Sequence, residues 1–70
     1  MKPMSKLKVV KALRAQRCVK VSDRGKHEKW RCPSPCGQHV TALTRHKEVT
    51  AGVVGSLIDD LKCLPTGWLQ

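Results

Sequence analysis

The chain has 70 residues, 40% of them hydrophobic, a formal net charge of +9 and two aromatic residues, Trp30 and Trp68. A chain of this length makes one domain and buries only about 60% of the surface its unfolded form exposes, which excludes a large core. The apolar content is that of a globular rather than a disordered chain, and no stretch approaches the ~20 apolar residues that span a bilayer.

The first element is expected to be a helix over residues 5–16. Met4, Leu7, Val10 and Leu13 recur every three residues as an apolar stripe, with Lys6, Lys8, Lys11 and Arg14 around it. Ser5 is placed to cap its start. A period of two follows: Val19 and Val21 alternate with Lys20 and Ser22, as in a half-buried strand. Asp23-Arg24-Gly25 reads as a turn, because glycine enters a left-handed backbone without steric cost. A second strand is expected from residue 26 or 27 to residue 32. On it His27, Lys29 and Arg31 share one face, and Glu28, Trp30 and Cys32 share the other. The prolines and glycine of Cys32-Pro33-Ser34-Pro35-Cys36-Gly37 mark a loop.

Alternation resumes over residues 39–43, giving a third short strand, and residues 44–48 form a polar link. The last regular element is a helix over residues 51–62, capped by Thr50. Its stripe is Val53, Val54, Leu57, Ile58 and Leu61, and Pro65 and Gly67 stop it. Gly52 and Gly55 lower its propensity and leave room for close packing or for a ligand. Trp68-Leu69 is expected to fold back over an edge of the core. The fold class is therefore α+β, in the order α-β-β-β-α. Two helices cover one face of a three-stranded antiparallel sheet, and the other face stays open.

The charge is segregated. Residues 1–31 hold eleven Lys and Arg against Asp23 and Glu28, a net of +9, whereas residues 32–70 balance three cations against three acids. A field of one sign attracts polyanions, and nucleic acid is the first candidate. No targeting signal stands out, so a cytoplasmic protein without membrane contact is expected, with its four cysteines as thiols.

The order of elements, the basic charge and the step Gly25-Lys26-His27 at the first hairpin, followed by Trp30, resemble the HicA family of toxins from bacterial toxin–antitoxin pairs. The segment Glu48-Val49-Thr50-Ala51-Gly52-Val53-Val54 is similar to the family's Thr- and Gly-bearing helix start. The resemblance covers roughly residues 4–62 of a single domain spanning residues 1–70, with residues 63–70 as an extension. It implies a fold like double-stranded-RNA-binding domains, metal-independent cleavage of mRNA as a toxin, no cofactor, and a HicB-like antitoxin as partner. His27 then takes the family's catalytic position. Lys26 stands where the family often has serine, and Glu28 where a second histidine often follows.

The residues are compatible with that chemistry. RNA carries a 2′-hydroxyl that can attack the neighbouring phosphorus, and an imidazole exchanges protons near neutral pH. His27 is the candidate general acid or base. Arg24, Gly25, Lys26, Lys29, Arg31, Lys20 and His46 are candidates to hold RNA, through cations at phosphate oxygens or a glycine that lets the backbone approach. His46 lies between Arg45 and Lys47, ahead of the second helix, where an anion is favoured near the N-terminus. The alternative is a non-catalytic RNA- or DNA-binding module stabilised by zinc. Cys32-x3-Cys36-x2-His39 approaches the spacing of zinc knuckles, and Cys63 or Cys18 completes four ligands. A third reading is a small interaction protein that uses Trp68-Leu69 and the second helix.

Overall fold

The structure is a computed structural model that describes residues 2–33 and 37–70. Its elements are β1 (Met4–Ser5), α1 (Lys6–Ala15), β2 (Val19–Ser22), β3 (His27–Arg31), β4 (Val40–Thr44), β5 (Glu48–Val49) and α2 (Ala51–Asp60). The β2-β3-β4 sheet is antiparallel throughout. It carries the three expected strands, and the two helices are those expected from the apolar stripes. The pair β1–β5 is an addition. Met4 pairs with Val49 and Ser5 with Glu48, so the entrances of the two helices lie side by side.

Both helices start on the expected caps. The Ser5 hydroxyl accepts from the Lys8 amide and the Thr50 hydroxyl from the Val53 amide, each satisfying a donor the helix leaves open. α1 ends where Arg17 takes φ 63°. The Cys18 amide donates to Leu13 O at 3.0 Å and the Arg17 amide to Arg14 O at 3.0 Å, the two bonds of a Schellman turn.

One cluster holds the core. Val9 and Leu13 of α1 and Val54 and Leu57 of α2, with Leu61 at the latter's end, meet Trp30, Cys32 and Leu43 from the sheet, with Val49 and Leu69 beside them. The α1 stripe is therefore centred on Val9 and Leu13. Leu7, expected in the core, is 84% exposed. The residues of β3 alternate strictly: Glu28 and Trp30 are buried, and His27, Lys29 and Arg31 are exposed. β4 repeats the pattern with Thr41 and Leu43 buried. Val19 and Val21, expected to be half-buried, are exposed, and a bulge interrupts the pairing with β3 between Lys20 and Ser22.

Residues 63–70 complete the domain rather than trail from it. Leu69 is in the core, and Trp68 and Leu64 pack against it, as the fold-back expectation required. The Gln70 side-chain amide bonds the Lys2 backbone in both directions: Nε2 donates to Lys2 O at 2.6 Å, and the Lys2 amide donates to Oε1 at 3.0 Å. A Cβ added at Gly52 meets nothing within 4 Å, so no close packing requires glycine there. Among the described residues, no helix is long and apolar enough to cross a membrane.

Candidate metal centre and basic sheet face

Two groups of polar residues sit at opposite ends of β3. At its C-terminal end Cys32 leaves the sheet, and its backbone amide donates to His39 O at 2.9 Å, which closes the loop to β4. The His39 amide returns a bond to the Cys32 sulfur at 3.3 Å. His39 Nδ1 lies 3.8 Å from Cys32 Sγ. The turn after α2 brings in Cys63, and ligand atoms of Cys32, His39 and Cys63 all lie within 4.8 Å of one another. In a tetrahedral zinc site, bonds of ~2.3 Å to sulfur and ~2.0–2.1 Å to nitrogen put such atoms roughly 3.6 Å apart, so the group is close to ligating geometry. Of the four cysteines weighed from sequence, Cys36 lies outside the described residues. Cys18 is not in the group: it is buried beneath the sheet, and burial, reinforced by the neighbouring Cys32, pushes its thiol up.

This cluster corrects the reading of the chain as a metal-independent RNA-cleaving toxin without metal ligands. The chemistry that the fold assembles from distant residues is a sulfur-rich donor set. It stands five residues beyond His27, roughly 17 Å along an extended strand, so a metal there does not touch His27. His27 itself is an exposed strand residue paired with Thr44, and among the described residues no side chain hydrogen-bonds its ring.

The other group is the hairpin and the solvent face of β3. His27, Lys29 and Arg31 point outward together, as their phase required, and Arg24, Gly25 and Lys26 form the exposed tip beside them. Gly25 adopts φ 76°, the left-handed conformation the turn requires. Lys20 stands apart from this set: it pairs with Trp30 in register and its ammonium lies 3.7 Å from the Asp23 carboxylate. His46 is exposed in the link after β4, ahead of β5 and the Thr50 cap of α2.

Sequence reasoning missed the residue that shapes the tip. Arg45 donates to Gly25 O at 2.9 Å and to Asp23 O at 2.6 Å, and its guanidinium pairs with the Asp23 carboxylate at 2.7 Å. Those contacts, with Lys20, hold the Asp23 carboxyl below its usual range. Behind the tip, Glu28 is 6% exposed. It accepts from Lys6 Nζ and from Trp30 Nε1, the latter at 3.2 Å, and Arg45 lies 4.0 Å away. Burial alone would raise the Glu28 carboxyl, but the bonds from Lys6 and Trp30 outweigh it and hold the group below its usual range. Glu28 is thus a structural carboxylate under the sheet, as its phase implied. A signal for Arg45 was present only as an arginine directly after a strand.

The chain matches no protein-family model, no curated protein and no solved structure in comparisons with each.

Proposed function

We propose that the chain is a non-catalytic nucleic-acid-binding module whose small core is clamped by a zinc ion held by Cys32, His39 and Cys63, with the fourth tetrahedral position taken by a further ligand. The observation that carries the reading is the convergence of those three ligand atoms within 4.8 Å, two from the β3–β4 loop and one from the turn after α2. Two sulfurs and an imidazole favour zinc over magnesium or calcium, which take oxygen. A 70-residue domain has little core to spare, and a metal that ties the β3–β4 loop to the end of α2 offsets that shortage. The nucleic-acid half of the reading is supported by the net charge of +9 and by the uninterrupted row of His27, Lys29 and Arg31.

The test combines metal analysis with binding. The purified protein should hold one zinc per chain, lose it on Cys63→Ser, and bind a labelled polynucleotide while leaving it intact. Protein free of metal when purified in zinc-containing medium overturns the clamp. RNA cut by the wild type and spared by His27→Ala overturns the non-catalytic reading.

A further inference from the structure

The open face of the sheet has an uneven chemistry. His27, Lys29 and Arg31 run along its central strand, directly paired with Thr44, Ala42 and Val40 of β4, while Val19 lies opposite Arg31 on β2. Val19, Val21 and Val40 are each close to half exposed. The surface is thus a bed of short side chains crossed by Lys29 and Arg31, with His27 in line and Arg24 and Lys26 at the hairpin end. None of the five acidic residues interrupts it. Glu28 is buried on the opposite side and Asp23 is held by Arg45. Glu48 lies on β5, and Asp59 and Asp60 end α2, where Asp60 accepts from the Thr41 hydroxyl beneath the sheet.

Phe, Tyr and Trp rings are missing from this face, and His27 is its one ring among the described residues. The chain has no Phe or Tyr, Trp30 is 2% exposed on the covered side, and Trp68 packs against the core. Proteins that hold single strands rely on exposed rings on which unstacked bases lie, worth about 1–3 kcal/mol per base. Here a single strand would find only the His27 ring and the Arg31 guanidinium to stack on, a small return for its ordering. A double helix keeps its bases stacked within itself and presents phosphates in a fixed array, one charge per ~1.7 Å of axis. Lys29 and Arg31, set two residues apart on one face of a strand, suit a fixed array of phosphates better than a flexible one.

Building on the nucleic-acid-binding reading, we propose that the open β2-β3-β4 face binds double-helical nucleic acid through its phosphates, with Lys29 and Arg31 as principal contacts and Arg24, Lys26 and His27 extending the track. Bases are not read, so affinity is tolerant of sequence and falls steeply with salt.

The experiment is fluorescence anisotropy with the zinc-loaded full chain against a short duplex RNA, a duplex DNA of the same sequence, and the separate strands. At least one duplex should bind about tenfold more tightly than either strand, and the two duplex arms identify the helix type. Lys29→Gln/Arg31→Gln should weaken duplex binding at least tenfold and lower the slope of log affinity against log salt by about two, one per lost phosphate contact. Its thermal melt should match the wild type, since both side chains are exposed. Single strands bound as tightly as duplexes overturn this proposal and leave the broader nucleic-acid reading standing. Undiminished binding by the double variant places the contacts elsewhere and overturns it too. No binding to any probe overturns both readings.

Discussion

Arg45 reaches from the end of β4 to Asp23 at the far side of the hairpin, bonding both its carboxylate, at 2.7 Å, and its backbone carbonyl, at 2.6 Å. One planar fork therefore fixes the turn that presents Arg24 and Lys26. Arg45→Lys keeps the charge but cannot make the divergent bonds. Amide exchange over residues 24–27 should rise severalfold in that variant, with α1 and α2 unchanged. Equal exchange in the two proteins would show that the turn holds itself. The same contact has a pH signature. A depressed carboxyl contributes above its ordinary range and loses that contribution as pH falls through its folded value. In the wild type the tip should loosen only below the usual aspartate range.

Glu28 is a second acid-sensitive point. Its carboxyl is also held low, so its contribution is complete above the ordinary glutamate value near ~4.3 and fades as pH drops through the lower folded value. Glu28→Gln retains an acceptor for Trp30 but leaves Lys6 without a charged partner. It should cost about 1–3 kcal/mol at neutral pH. The gap to wild type should close in strong acid. Urea melts at neutral and acid pH check both statements, and a gap that widens in acid contradicts the assignment.

Removing the metal should act on the tail first. With a chelator, or in Cys63→Ser, the segment from Cys63 to Gln70 loses its tie to the β3–β4 loop, and Trp68 should become more exposed in fluorescence. Global stability should fall by several kcal/mol, because metal-binding energy in small domains is folding energy. Thiols must lose protons to bind, so the zinc affinity of the wild type should weaken as pH falls. A chelated protein with an unchanged melt and unchanged Trp68 emission would rule out a structural role.

Arg17 carries a correctable strain. Its φ of 63° is a conformation in which a Cβ crowds the backbone, at the helix-end position where glycine is the usual choice. Arg17→Gly should therefore stabilise the protein by about 1 kcal/mol in denaturant unfolding. A loss of stability would show that the guanidinium makes a contact of greater worth.

What the sequence makes legible follows from periodicity. The phase of β3 is readable because one face is buried and the period is two, so His27, Lys29 and Arg31 separate cleanly from Glu28, Trp30 and Cys32. The α1 stripe is misleading because a step of three residues drifts on a helix with 3.6 residues per turn. Leu7 ends roughly 120° from Leu13, whereas Val9 is only about 40° away. β1 and β5 are too short to carry any period. The metal group is half legible: Cys32 and His39 advertise themselves by spacing, but the choice of Cys63 over Cys18 is settled only once α2 has been laid across the sheet. Arg45 leaves no pattern, since it acts on backbone carbonyls whose positions exist only in the folded hairpin.

The clasp between Lys2 and Gln70 has a topological consequence. A side-chain amide there imitates a strand's backbone, so the two ends of the described chain meet as neighbours. Anything fused to either end emerges from the same pole, and a short peptide bridge could close the chain into a ring. Ring closure would restrict the unfolded chain while leaving the folded one undisturbed. The break could then be moved to a loop, turning the hairpin tip or the 45–47 link into a pair of termini without cutting a strand.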